Sequence, residues 1–211
     1  MTKRKLILST NNFDKVEEIK DILKELPVDI LSKKDLNLEN VDIVEDGKTL
    51  EENATKKAMA LKEKVEGIII ADDTGLFVKA LKGAPGVYSA RYGGVEHDYD
   101  KNNKKLLEEL KDVPLDKRGA YFKTVIAIVL EDGSSFTVEG ICEGTIGFEP
   151  KGDSGFGYDP LFIPKGYNKS FGELGLDIKN RISHRAKALD KLKAQMYMIL
   201  KGDAYEDICS K

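Results

Sequence analysis

The stretch Ile68-Ile69-Ile70-Ala71-Asp72-Asp73-Thr74-Gly75 carries the strongest signal of fold class in the chain. Four aliphatic residues without polar alternation fit a strand buried on both faces, as in the parallel part of an α/β sheet. The two acids then predict the end of that strand and a turn, because adjacent carboxylates are costly in a core unless a cation or water meets them. Neighbouring strand residues point opposite ways, so one of the two acids is expected to face a given site. Acids at the carboxyl end of a buried strand lie where open α/β sheets place their chemistry.

The flanking sequence extends the same pattern. Residues 5–9 read as a short strand ending in the polar turn Ser9-Thr10-Asn11-Asn12. Val16, Ile19, Leu23 and Leu26 follow at helical spacing, with Asn12 placed to cap the helix and Pro27 to stop it. A second helix is predicted over 49–66, with Leu50, Ala54, Leu61 and Val65 on one face. Asn53 and Lys57 are four apart on it and project from the same side. Downstream come a helix over 100–111, a strand over 120–131, and a hairpin through Asp132-Gly133 into a strand that continues to Ile146. The sheet is therefore expected to be mixed. A glycine-rich loop over 152–160 and a last helix over 184–200, capped by Ser183, complete the chain. No repeat, low-complexity tract or linker interrupts it, and residues 1–211 read as one domain.

Composition narrows the classes. The 211 residues include 34 Lys plus Arg and 37 Asp plus Glu, a formal charge of −3. That balance argues against a protein whose main work is coating nucleic acid. The longest aliphatic run, 125–130, is far too short to span a membrane. No pattern of a secretory leader follows Met1, so a cytoplasmic setting is expected. Cys142 and Cys209 lack metal-ligand spacing and form no disulfide framework. Charge is uneven, with seven acids and one base over 35–52 and nine bases and three acids over 161–201. Such segments could face a divalent cation and an anionic ligand, or be two solvated faces.

Three segments could carry chemistry. The turn Thr10-Asn11-Asn12-Phe13-Asp14-Lys15 starts a helix, where unpaired N–H groups and the dipole suit a phosphate, and Lys15 adds a cation; it could equally be an ordinary capped helix. It is no P-loop, since G-x-x-x-x-G-K-[ST] occurs nowhere. Asp72-Asp73, with Glu45 from the acidic segment, could hold Mg²⁺ by one or two carboxylates and several waters. In Gly155-Phe156-Gly157-Tyr158-Asp159-Pro160, glycines permit close approach, Phe156 or Tyr158 could stack on a base, and Asp159 could accept hydrogen bonds. Lys179, His184 and Arg185 gather at and before the start of the last helix, where the dipole disfavours cations, so an anion or polar base is expected nearby.

Taken together and in order, these motifs resemble the inosine triphosphate pyrophosphatase family, the dITP/XTP pyrophosphatases that remove damaged purine nucleotides. The carriers are Thr10-x-Asn12-x-x-Lys15-x-x-Glu18, Glu45-x-Gly47-x-Thr49-x-x-Glu52-Asn53-Ala54-x-x-Lys57-Ala58, Ala71-Asp72-Asp73-Thr74-Gly75-Leu76, residues 83–92, Gly155 to Pro160, and Ser183-His184-Arg185. The resemblance covers nearly the whole chain. It implies an elongated α/β fold with two lobes around a nucleotide-binding cleft and a mixed central sheet with flanking helices, usually as a homodimer. It further implies Mg²⁺-dependent hydrolysis of ITP, dITP and XTP to the monophosphate and pyrophosphate.

By position, residues Thr10, Asn11, Asn12, Phe13, Asp14 and Lys15 would form the triphosphate loop, with Lys57 a second phosphate contact. Glu45 and Asp73 would bind the metal, with Asp73 also taking the proton of the attacking water, and Thr74 would touch substrate. Phe156, Gly157, Tyr158, Asp159, Lys179, His184 and Arg185 would line the nucleoside end, the last two offering donors to a 6-oxo purine. Asn11, Thr74 and Leu50 stand where glycine, serine and phenylalanine are common, and none removes a group the chemistry needs. Two other readings stay open: a pyrophosphatase for modified pyrimidine triphosphates, and a nucleotide-binding module without turnover.

Overall fold

The computed structural model describes residues 3–41 and 43–201; Asp42, in the acidic segment, and Cys209 lie outside them. Seven strands form one mixed sheet among the described residues: β1 (Arg4–Leu8), β2 (Val28–Ser32), β3 (Ile68–Val78), β4 (Pro85–Gly86), β5 (Gly119–Val129), β6 (Ser135–Ile146) and β7 (Phe162–Pro164). Their order is β2-β1-β3-β5-β6-β7, with β4 beside β3. β2, β1 and β3 are parallel, and every pairing from β3 onward to β7 is antiparallel. Among the described residues six α-helices flank the sheet: α1 (Phe13–Leu23), α2 (Leu50–Lys62), α3 (Tyr99–Glu109), α4 (Phe171–Leu174), α5 (Leu176–Ile182) and α6 (His184–Lys201). The expected mixed α/β architecture is present.

One expectation is corrected. The central strand does not stop at the acids; β3 runs through Asp72, Asp73, Thr74 and Gly75 to Val78. β5 pairs with it the whole way, with Asp72 opposite Ile126 and Asp73 opposite Val125. β1 pairs only as far as Leu8 opposite Ile70. The carboxylates therefore lie within a strand, but just past the point where its parallel neighbour ends. α2 also ends at Lys62 rather than Glu66, leaving Val65 in the turn that follows, its N–H bonded to the Leu61 carbonyl at 3.1 Å.

Alternation along β3 assigns its residues to two cores. Ile68 and Ile70 pack with Ile126, Ile128 and the inner faces of α1 (Val16, Ile19, Leu23) and α6 (Leu189, Leu192, Met196). Ile69 and Ala71 point the other way, onto Ala54, Ala58 and Leu61 of α2. A third cluster lies toward the far end of β3, where Leu76 and Val78 meet Phe122, Leu106 and Leu110 of the α3 region, Phe162 and Phe171. The free thiol of Cys142 belongs to this last cluster.

α6 lies so close to β6 that one glycine is obligatory. A Cβ at Gly140 would fall 2.1 Å from the carbonyl oxygen of His184 and 2.5 Å from the Ala188 nitrogen, both backbone atoms. Gly140→Ala must push the start of α6 off the sheet, and overpacking of this kind costs about 1–3 kcal/mol or more. A thermal midpoint lowered by at least roughly 3 °C is expected. An unchanged midpoint would mean that α6 can shift freely on β6.

Candidate active site

α1 begins as the sequence predicts. Asn12 is its N-cap, with the side-chain oxygen accepting from the Lys15 N–H at 3.0 Å, and Asn12 N–H donates to Thr10 Oγ1 at 3.1 Å. None of residues 9–12 has a positive φ, so the position of Asn11 does not require glycine. The Asn11 amide instead donates to the Glu39 carbonyl at 3.1 Å, joining this turn to the acidic segment. Thr49 caps α2 in the same way and sets Asn53 and Lys57 on the side facing β3.

These elements enclose a cavity of about 450 Å³, within the range of small-molecule sites. It is lined by Thr10, Asn11, Asn12 and Lys15 at one end, Glu45, Lys57, Asp73 and Thr74 in the middle, and Phe156, Gly157, Tyr158, Asp159, Lys179, His184 and Arg185 at the other. Phe13 and Asp14 do not line it, and Phe13 is 73% exposed. They begin α1 with their side chains outside the cradle.

The two aspartates serve opposite faces of β3, as alternation requires. Asp73 accepts from Asn53 Nδ2 at 3.2 Å and pairs with Lys57 Nζ at 3.0 Å. The same ammonium lies 3.1 Å from Glu45 Oε2. Burial pushes the Asp73 carboxyl above the ordinary aspartate value, more than Lys57 and Lys15 pull it down. Burial would lower Lys57, but Asp73 and Glu45 outweigh it and hold the ammonium charged.

Asp72 lies on the α1/α6 side. Its Oδ2 meets Lys15 Nζ at 3.1 Å and the Arg185 guanidinium at 3.1 Å. Burial opposes ionisation there, yet Lys15 and Arg185 overcome it and hold the carboxyl far below the usual range. Glu18, one turn after Lys15, pairs with Arg185 and with Lys179 Nζ at 2.5 Å. Lys179 also meets Asp159 Oδ2 at 2.6 Å. Lys15, Asp72, Arg185, Glu18, Lys179 and Asp159 thus form an alternating chain of buried charge. The anions expected near the start of the last helix are the protein's own carboxylates.

At the far end the glycine-rich loop is built around Asp159. Gly155 has φ +78°, and a Cβ there would sit 2.1 Å from Asp159 Oδ2, so the loop closes only with glycine. Asp159 accepts from the Phe156 N–H at 2.8 Å, and the Phe156 ring receives Lys179 Nζ at 4.4 Å from its centroid. His184 stacks on Phe122 with centroids 4.5 Å apart. Burial and then the neighbouring Arg185 and Lys179 lower its pKa well below the ordinary value, so the imidazole is neutral. Its Nδ1 has no hydrogen-bond partner within the protein. The donors of Arg185 go to Glu18, Asp72 and Thr74.

Several participants had no assigned role in the sequence reading. Glu18 carried a signal, since i,i+3 spacing puts it on the Lys15 side of α1. Asn53 carried one too, four residues before Lys57. Lys33, Ser89, Arg91, Tyr99 and Phe122 reach the cavity from separate elements, and no local pattern marks them. Arg91, to which the sequence assigned no role, donates to the Glu45 carbonyl at 3.2 Å. The charge asymmetry is mostly solvated surface: of the nine bases over 161–201 only Lys179 and Arg185 line the cavity, and of the acids over 35–52 only Glu45 does, among the described residues.

Glu18 and Asp72 both ionise more readily in the fold than in the open chain. The stability they contribute is complete above about pH 4.5, the unperturbed glutamate value, and is lost as pH falls through their lower folded values. Removing one partner of a buried pair typically costs about 3–5 kcal/mol. Glu18→Gln is expected to lower the urea midpoint markedly at pH 7 and to flatten the decline in stability below pH 4.5. Equal midpoints for variant and parent at pH 7 would contradict the network.

The chain is similar to known proteins along most of its length. The model of the Ham1 family matches residues 6–195. A dITP/XTP pyrophosphatase of Thermoanaerobacter pseudethanolicus is 55% identical over 189 residues, 90% of this chain and 94% of that protein. The dITP/XTP pyrophosphatase of Clostridium perfringens is 48% identical over 204 residues, covering 94% of this chain and all of that one. The Staphylococcus aureus Ham1 structure superposes with a TM-score of 0.81 at 34% identity, over 95% of this chain and 100% of that one. Such agreement along almost the whole length, in sequence and in fold, means that this chain belongs to the Ham1 family.

Proposed function

We propose that this protein hydrolyses non-standard purine nucleoside triphosphates (ITP, dITP and XTP) to the monophosphate and pyrophosphate, clearing damaged purines from the nucleotide pool. The observation that carries the reading is the setting of Asp73: a buried carboxylate with a raised pKa, held by Asn53 and Lys57, facing a cavity that runs from a capped helix start to an aromatic loop. Relatives named dITP/XTP pyrophosphatase supply the substrate class.

The triphosphate lies along the turn 9–12 and the start of α1, where backbone N–H groups and Lys15 meet its oxygens. Lys57 adds charge at the reacting phosphate. Asp73 accepts the proton of the water that attacks the α-phosphorus in line, and Asn53 holds the carboxylate in place for it. A raised pKa makes Asp73 a better base than a solvent-exposed aspartate. Pyrophosphate leaves with its charge met by Lys15 and Lys57. At the other end Phe156 offers a stacking face, and neutral His184 can present a donor to the O6 of a 6-oxo purine, while an adenine amino group would leave that donor unpaired.

Glu45 and Asp73 would hold Mg²⁺. Both carboxylates reach one ammonium, so the two converge on a place that already suits a cation, and oxygen donors are what Mg²⁺ takes. Among the described residues no group of three or more His, Cys, Asp or Glu is placed to hold a metal. When bound, it would neutralise phosphate charge and acidify a water. We further take the protein to be a cytoplasmic homodimer with residues 1–211 as one domain; no helix among the described residues is long and apolar enough to cross a membrane.

Incubation with ITP and Mg²⁺ is expected to yield IMP and pyrophosphate; IDP with orthophosphate would overturn the reading. A panel including modified pyrimidine triphosphates should show lower kcat/KM for those substrates. Asp73→Asn should lose at least about 10²-fold in turnover with an unchanged circular dichroism spectrum. Near-normal ITP hydrolysis by that variant would remove Asp73 from its role.

A further inference from the structure

Tyr99, the first residue of α3, belongs to none of the segments assigned a role above. It reaches the cavity from the start of α3, and its hydroxyl meets the turn 9–12 through Asn12. Its hydroxyl accepts from Asn12 Nδ2 at 3.3 Å and donates to Asp14 Oδ2 at 3.5 Å. Its ring is tilted 36° against that of Phe156, with centroids 6.0 Å apart, and His97 meets its edge at 6.2 Å. One side chain thus touches both ends of the cavity. The same helix grips the aromatic loop a second time through Asn103 Nδ2, which donates to the Gly157 carbonyl at 2.9 Å.

The contact with Asn12 has a specific consequence. The Asn12 amide must present its oxygen to the Lys15 N–H to cap α1. A flipped amide would aim its NH₂ at that N–H and uncap the helix. An acceptor beside Nδ2 selects the capping orientation, and the Tyr99 oxygen is that acceptor. The phenol stays protonated, since burial raises its pKa beyond the pull of Asn12, so it can give its proton to Asp14 while accepting from Asn12.

We propose that Tyr99 is a positioning residue that joins the two ends of the site: its hydroxyl fixes the Asn12 cap, and with it the phosphate-facing start of α1, while its ring backs Phe156 at the nucleoside end. This rests on the functional reading above for which ligand end lies where. The two halves of the side chain therefore act on two halves of the ligand, and they can be removed one at a time. Tyr99→Phe deletes the hydroxyl and keeps the ring. Tyr99→Ala deletes both.

The test is calorimetric titration of wild type and both variants with inorganic tripolyphosphate and with inosine. Tyr99→Phe is expected to bind tripolyphosphate about 3–10-fold more weakly, the worth of one hydrogen bond, and inosine as tightly as wild type. Tyr99→Ala should weaken both. In ITP hydrolysis the Tyr99→Phe change should fall on KM rather than on kcat, with a thermal midpoint within a degree or two of the parent. Wild-type affinity of Tyr99→Phe for tripolyphosphate would overturn the proposal. So would equal weakening of both probes together with a lowered midpoint, the mark of a merely structural role. Should wild type release no pyrophosphate from ITP, the functional reading fails, while the two binding titrations still judge Tyr99.

Discussion

The site depends on a mismatch in strand length. β1 ends at Leu8, opposite Ile70, while β3 continues eight residues further to Val78 on the support of β5. Beyond Ile70 the β1 side of β3 has no strand beside it until β4 meets Leu76 and Phe77. Asp72 and Asp73 fall in that interval. A strand held on one edge and open on the other gives both carboxylates a rigid backbone and still leaves room for ligands. The chain leaving β1 turns at Ser9, whose N–H bonds the Ile70 carbonyl at 2.8 Å, and brings the turn 9–12 to the same gap.

Two adjacent buried acids would be ruinous without compensation. The compensation differs on the two faces, and the difference divides the labour. Asp72 is enclosed by Lys15 and Arg185 and held firmly ionised, so it acts as a fixed anchor for the cations around it. Asp73 shares one ammonium with Glu45, and burial leaves its affinity for a proton raised. One carboxylate stays charged, whereas its neighbour can accept a proton. Environment alone separates two chemically identical side chains one residue apart.

Much of this was legible in the sequence because it rests on local spacing. The cap at Asn12, the shared face of Asn53 and Lys57, the hairpin at Asp132-Gly133, the Ser183 cap and the opposed aspartates all follow from helix or strand period and short-range hydrogen bonding. The sequence failed where long-range pairing outweighed local cost. Asp72 and Asp73 read as the end of a strand, and only the cations of three helices make it possible for the strand to continue through them. β2, β4 and β7, at five, two and three residues, are too short or too polar to stand out from loops. Tyr99 gave no signal, since its role comes from the docking of α3 across the cavity. Phe13 and Asp14 were grouped with the phosphate turn by proximity in sequence, yet helix geometry points them away.

Charge balance in the cavity bears on how a polyanion could enter it. Six cations (Lys15, Lys33, Lys57, Arg91, Lys179 and Arg185) line the site, and Glu45, Asp73, Glu96 and Asp159 line it with them. Glu18 and Asp72 stand directly behind. Among the described residues the lining itself carries two more cations than carboxylates, and the two carboxylates behind it pair with Lys15, Lys179 and Arg185. A triphosphate carries several negative charges and meets only that modest excess of positive charge. The lysine nearest Asp73 is already shared between two carboxylates, and Lys15 and Arg185 are committed to Asp72. A divalent ion brought with the substrate, as proposed above, would add positive charge at Glu45 and Asp73, the two carboxylates that share Lys57. Cations already held by carboxylates offer a polyanion less free charge than their number suggests, and that is the physical reason the proposed ion would help the substrate to bind.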